Sequence, residues 1–247
     1  MKIRQTLILT ILCVAAISAW QAFQSFFPQE RNLKLVLKAN VGGQPFERNK
    51  FAYDNPGGNG KFRVTNFRFY LSDVQFDPGQ GGDVHSVPDS YHLARFGDTQ
   101  GVYELQFKEL PFARIEGVSF AIGVDATANT SLEVRGDLDP NSQMAWNWEV
   151  GYKFVLLEGA LQTDDGVTPL VYHVGFSENR RKLDFTLTEP LALSSESQIE
   201  FDVDLLKFFN GATTLDLATT NSVKFDKNDA RALADNYSRM ISLTDTQ

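Results

Sequence analysis

A chain of 247 residues with 43% hydrophobic content is long enough for one large β domain with a substantial core. Its formal net charge of −8, from 31 acidic against 23 basic side chains, argues against a nucleic-acid binder, which would present a basic face. The same balance gives no anchor to anionic lipid heads, and an acidic surface suits cation traffic or simply solubility.

The N-terminus reads as a targeting segment. Lys2 and Arg4 precede an apolar run over residues 6–19, and Ala16-Ile17-Ser18 offers small residues for cleavage. The run is short for a spanning helix. Residues 1–20 are therefore read as an export signal peptide, with an uncleaved anchor as the alternative and the only route to a membrane. Residues 21–32 follow as a linker and 33–247 as the folded domain. The only cysteine, Cys13, lies inside the signal, behind a Leu12 too large for lipoprotein cleavage. The exported chain would then have neither a disulfide nor a thiolate ligand. Any soft-metal site must use His, Met, carboxylate or something less usual.

Residues 33–39 alternate, with Leu33, Leu35, Leu37 and Ala39 on one face and Lys34 and Lys38 on the other, the pattern of a half-buried strand. Residues 54–60 and 77–90 are loops by their Gly, Pro, Asn and Asp content. Strands are expected over 67–76, 102–107, 118–122, 146–157, 171–175, 182–187 and 199–203. So many short strands indicate a mostly β chain, an antiparallel β-sandwich of Ig-like type. A helical turn is expected over 204–210, ended by Gly211. From Asp226 onward Ala230, Leu233, Ala234, Tyr237, Met240 and Ile241 recur at helical spacing, and Asp226 or Asn228 can cap the start. One C-terminal helix is predicted.

Residues 136–159 carry the most distinctive chemistry. In a strand Met144, Trp146 and Trp148 share one face. The even positions through Leu156 are all apolar, which favours a core role from spacing alone. The odd positions, with Asn147, Glu149 and Lys153, are mixed and expected nearer water. Asp137-Leu138-Asp139-Pro140-Asn141 imitates the start of a calcium loop. Ser142 and Trp148 stand where that loop needs Gly and a carboxylate, so a turn is favoured and calcium is the alternative. The three histidines are His85, His92 and His173. His85 is in a loop, His92 begins an extended segment and His173 is mid-strand. Glu149, Glu158, Asp164 and Asp165 could supply a carboxylate pair, but nothing sets their separation. No nucleophile elbow, phosphate loop, dinucleotide fingerprint or zinc-protease motif is present. A binding protein is expected rather than an enzyme.

Several motifs together resemble the MbnP-like family. They are Asn66-Phe67-Arg68-Phe69-Tyr70-Leu71-Ser72, Tyr91-His92-Leu93, Gly136-Asp137-Leu138-Asp139-Pro140, Met144-Ala145-Trp146-Asn147-Trp148, Gly151-Tyr152-Lys153-Phe154, Leu157-Glu158-Gly159, Tyr172-His173-Val174-Gly175 and Val203-Asp204-Leu205-Leu206-Lys207-Phe208-Phe209. The family consists of exported copper-binding proteins named for a member of methanobactin gene cassettes. The resemblance implies copper binding in the periplasm of a Gram-negative bacterium. It also implies conversion of a tryptophan, Trp146 or Trp148, to kynurenine by a dihaem peroxidase partner of MauG/MbnH type. His92 and His173 match the family's histidine segments, Met144 is a soft donor, and Asp137, Asp139 and Glu158 are in supporting positions. Two neutral imidazoles can hold Cu(I) almost linearly, so His92 and His173 are expected side by side near the tryptophan strand. The sequence departs from the family at Gln143, where a glycine usually precedes the methionine and would allow a special backbone angle. The alternative function is a β-sandwich module that presents an aromatic face to a carbohydrate or protein partner.

Overall fold

The computed structural model describes residues 30–79, 81–97, 101–131, 133–147 and 151–246. The expected signal peptide, Trp148 and Glu149 lie outside the described residues.

In chain order the elements are β1 (Leu33–Val41), β2 (Gln44–Pro45), β3 (Tyr53–Asp54), β4 (Lys61–Asp77), β5 (His85–Ser86), β6 (His92–Arg95), β7 (Val102–Phe107), β8 (Arg114–Ile122), α1 (Ala126–Asn129), β9 (Ala145–Asn147), β10 (Gly151–Thr163), β11 (Gly166–Gly175), β12 (Arg181–Ala192), β13 (Ser197–Asp204), α2 (Leu206–Phe209), β14 (Ser222–Val223), α3 (Lys227–Tyr237) and β15 (Ile241–Thr246). They form two sheets packed as a sandwich. The smaller runs β15-β13-β1-β2, with β7 also on β1. The larger runs β12-β8-β4-β10-β11-β14, with β3, β5 and β6 on β4 and β9 on β10.

Alternation determines which side chains meet between the sheets. In β13 Ile199, Phe201 and Val203 are fully buried, while Glu200 and Asp202 turn away, as period 2 requires. Leu35 and Leu37 of β1 lie opposite Ile199 and Phe201. That pairing is parallel, as is β11 with β14. The sandwich is thus mixed rather than wholly antiparallel as expected. β1 and β13 are far apart in sequence, so their pairing is not bound to a hairpin's antiparallel sense.

The C-terminal helix forms as predicted, but ends sooner. Asp226 caps α3 by accepting from the amides of Asn228 and Asp229, both at 2.9 Å. Ala230, Leu233, Ala234 and Tyr237 pack inward. Met240 and Ile241, expected on that helix, lie beyond it. Ile241 begins β15, which pairs antiparallel with β13 and so satisfies backbone groups that would otherwise form an open edge.

β10 corrects a further expectation. Its odd residues Val155 and Leu157 belong to the core between the sheets. Its even residues Tyr152, Phe154 and Leu156 form a separate cluster with Tyr70, Leu93, Val124, Ala128, Leu138 and Met144 on the outer face. Both faces of this strand are buried along most of its length. The outer cluster is roofed by the excursion between β8 and β10, which holds α1, a 3₁₀ turn at Pro140–Ser142 and β9.

Candidate metal and aromatic site

Beyond Leu156 the outer face of the large sheet turns polar. His173 of β11 lies opposite Leu156 of β10 and so projects to that outer face. Its side chain is only 13% exposed, and Nε2 lies 2.9 Å from Oε1 of Glu158. The Asn66 side-chain amide of β4 donates to the other carboxylate oxygen at 3.3 Å, and Arg68 Nε donates to Asn66 Oδ1 at 2.9 Å. A hydrogen-bonded row therefore crosses three strands, Arg68–Asn66–Glu158–His173.

Burial holds the His173 pKa below its ordinary value, with Lys153 and Lys224 adding to the depression against the pull of Glu158. Burial works the other way on Glu158, but bonds from His173 and Asn66 outweigh it and keep its pKa below the ordinary value. The pair is thus a neutral imidazole donating to an ionised carboxylate. Donation from Nε2 leaves Nδ1 with its lone pair, the form in which a histidine binds metal, and a carboxylate behind the ring is the usual support of such a ligand.

Trp146 covers the next same-face position along β11. A Cβ on Gly175 would lie 2.5 Å from the indole Cζ3, so only glycine admits the ring there. The indole also packs against Phe176 and Phe225, with ring centres 5.6 and 5.3 Å away. Phe176 holds φ +67°, ψ 133°, a strained region for a bulky side chain, and such outliers gather at working surfaces. Phe225 is 60% exposed, and the Lys227 ammonium lies 5.5 Å from the Phe176 ring centre. His173 and Trp146 are thus brought to one face, over β11 positions two residues apart.

Met144 is fully buried in the outer cluster that includes Leu156, the residue opposite His173. Asp137 and Asp139 are structural, as the turn reading expects. Asp137 accepts from the Leu93 amide at 2.7 Å and so holds β6. Asp139 caps the 3₁₀ turn through the Asn141 amide at 2.8 Å. Gln143 has φ +64°, so this position does demand the left-handed angle that glycine adopts freely. Arg68 and Lys153 donate to the carbonyls of Ser142 and Gln143 at 3.2 and 2.9 Å and tie the turn to the sheet.

The expected pair of imidazoles does not form. His92 lies opposite Leu71, a residue of the inter-sheet core, and its ring meets Phe107 edge-on at 6.1 Å. It therefore points to the inner face, and its Nε2 is buried without a partner. The row Arg95–Arg68–Leu156–His173 puts β6 and β11 three strand spacings apart, about 14 Å. The two rings face opposite ways across that distance. Strand parity, hidden while the pairing register was unknown, separates them. His85 of β5 packs on Phe112 at 5.5 Å, away from both. Among the described residues no three His, Cys, Asp or Glu groups converge to hold a metal. The donor set fits one imidazole with its carboxylate support, not a complete cage. Asn66, Arg68, Phe176 and Phe225 were not singled out from sequence as site residues. Asn66 and Arg68 lie within one of the quoted motifs and Phe176 follows another, while nothing in the sequence marked Phe225.

A mixed β-sandwich with a half-buried imidazole–carboxylate pair beside a stacked indole is the class of protein that these observations define. A family model for MbnP matches residues 30–226, and the chain belongs to the MbnP family. Among solved structures, MbnP from Methylosinus trichosporium is similar with a TM-score of 0.57 and 16% identity, over 87% of this chain and 99% of that one. Likeness at that identity concerns the fold. No curated protein matches.

Proposed function

We propose that the protein binds copper in the periplasm at the outer face of its large sheet, as a binding protein rather than an enzyme. His173 is the imidazole donor, and Trp146 is the residue that a dihaem peroxidase partner of MauG/MbnH type converts to kynurenine. The observation that carries this reading is the placement of a neutral, carboxylate-backed His173 and a stacked Trp146 on one face of β11. Copper(I), a soft ion, takes neutral nitrogen and sulfur donors. Kynurenine exposes an aryl amine and a ketone where the indole had none, which would add to the incomplete donor set. Glu158 fixes the ring orientation of His173, and His92 has a packing role.

The test is peptide mass mapping of copper-loaded protein from its native host. The Trp146 peptide is expected to carry the mass change of one carbon lost and one oxygen gained. An unmodified Trp146 in copper-loaded protein removes the oxidation from the account. The exposed ring of Phe225 beside Trp146 favours a second reading, an aromatic face for a carbohydrate or protein partner. Trp146→Phe separates the two, since it keeps an aromatic face but cannot yield kynurenine.

A further inference from the structure

We propose that the cleft where the loop between β5 and β6 meets the start of α1 binds a small protonated amine that carries a hydroxyl a few atoms away, the chemistry of an amino alcohol. None of its residues is assigned to copper, so this inference does not rest on the function proposed above. The cleft measures about 280 Å³, at the small end of ligand pockets. It is lined by Asp73, Asp89, Ser90, Tyr91, Asp125 and Arg180. Asp73 arrives there through an irregularity in β4, whose register against β8 shifts between Ser72 and Gln75, and such bulges re-aim side chains. Asp73 and Asp89 hold φ +55° and +46°, left-handed angles that Asp adopts more readily than most residues.

The ligand chemistry follows from which groups are used and which are free. Asp73 accepts from Arg180 Nη2 at 3.0 Å and from the Gln75 amide at 3.3 Å. Asp125 accepts from the Tyr91 hydroxyl and caps α1 through the amides of Thr127 and Ala128 at 3.0 and 3.1 Å. Three polar groups are left over. The Asp89 carboxylate accepts no hydrogen bond among the described residues. Arg180 Nε is buried without a partner. Ser90 is 4% exposed, and its Oγ accepts from the Val74 amide at 2.9 Å, which leaves its hydroxyl proton without an acceptor among the described residues. A free carboxylate calls for a donor, and two free donors call for an acceptor. Charge decides the form of each. Three carboxylates face one guanidinium. Arg135, which acts on Asp89, is held by Glu133 at 2.7 Å and adds no net charge. The donor is therefore a cation and the acceptor a neutral oxygen, since an anionic oxygen would meet the carboxylates. Among the described residues no three carboxylate or imidazole groups converge to hold a metal ion, so an ammonium, which bonds at longer range, fits where a bare cation does not.

The experiment titrates ethanolamine, n-propylamine, ethylene glycol and O-phosphoethanolamine into isotope-labelled full chain. It follows the Asp89 amide and the Arg180 Nε–H by NMR. Ethanolamine is expected to give saturable shifts at both, with a midpoint of about 1 mM for so small a ligand. Propylamine should bind several-fold more weakly, and ethylene glycol should not saturate. Asp89→Asn, which tolerates the left-handed angle, is expected to weaken both amines by roughly tenfold. Arg180→Lys keeps a charge beside Asp73 but lacks Nε, and should close the gap between the two amines. Thermal melts check that both variants stay folded. The proposal is overturned if ethanolamine gives no saturable shift, if Asp89→Asn binds it unchanged, or if propylamine binds the wild type as tightly. Tighter binding of O-phosphoethanolamine than of ethanolamine would overturn it in favour of a lipid headgroup.

Discussion

The two faces of the large sheet are built differently. The inner face meets a second sheet, and its rings, among them Phe67, Phe69, Phe120 and Phe201, interlock across the sandwich with no polar group required. The outer face meets an irregular excursion held down by specific bonds, from Arg68, Lys153 and the Leu93 amide. The inner face is lined almost wholly by apolar side chains. The outer one grades from Met144 and Leu156 into Glu158, His173 and Trp146 within a few residues. A site that needs both a buried imidazole and contact with the outside can exist only on the second.

That contrast can be broken or sharpened by substitution. The largest effect is expected where the roof meets the sheet. Met144→Ala empties a fully buried position and is expected to cost about 2–4 kcal/mol in urea unfolding. A much smaller loss would mean that the roof closes over the gap, and that the outer cluster is softer than the inner core. Asp137→Ala leaves the Leu93 amide without its acceptor, for an expected loss of about 1–3 kcal/mol. Because Asp137 and Asp139 are occupied by backbone amides, added calcium is expected to leave the melting temperature unchanged. A calcium-dependent rise would restore the metal reading of that loop.

The histidines on opposite faces share one pH behaviour. Burial lowers the pKa of His92 from its ordinary 6.5, with Asp137 opposing, and His173 is lowered as well. Below pH 6.5 the unfolded chain takes up protons that the fold refuses, so stability falls as pH drops toward the folded values. Glu158, lowered from 4.5, adds a loss only below that point. His92→Leu is expected to lessen the decline below pH 6.5 in chemical unfolding, leaving the part due to His173, without disturbing the outer face. An unchanged decline would mean that His92 gains a partner on protonation. The smallest effect is at Gln143→Gly. Relief of a left-handed angle worth about 1–2 kcal/mol, set against the added freedom of the unfolded chain, leaves a net gain of about 0.5–1 kcal/mol.

Much of this was legible in the sequence. Alternation in β13 revealed its buried face, the Asp226 cap and 3.6 spacing revealed α3, and the turn chemistry of Asp139-Pro140-Asn141 was readable from residue type. The Gln143 departure pointed to a real backbone demand. Pairing was not legible. Period 2 says that Val155 and Leu156 face opposite ways, but not that both sides of β10 are covered. The same ignorance of register joined His92 to His173 in one expected site. Their motifs are similar in sequence, Tyr-His followed by an apolar residue, yet one histidine aligns with Leu71 and the other with Leu156. Ile241 fits a helix by spacing and a strand by composition, and an open edge on β13 decided for the strand.

The claim that the outer face is the working one is tested most directly by competition titration of Cu(I) against the wild type, His173→Ala and His92→Ala, each checked for folding. The account predicts that His173→Ala weakens copper binding by roughly tenfold or more, the scale on which losses around metal ligands are measured, while His92→Ala leaves it near the wild-type value. Equal loss in both variants, or loss in His92→Ala alone, would contradict it.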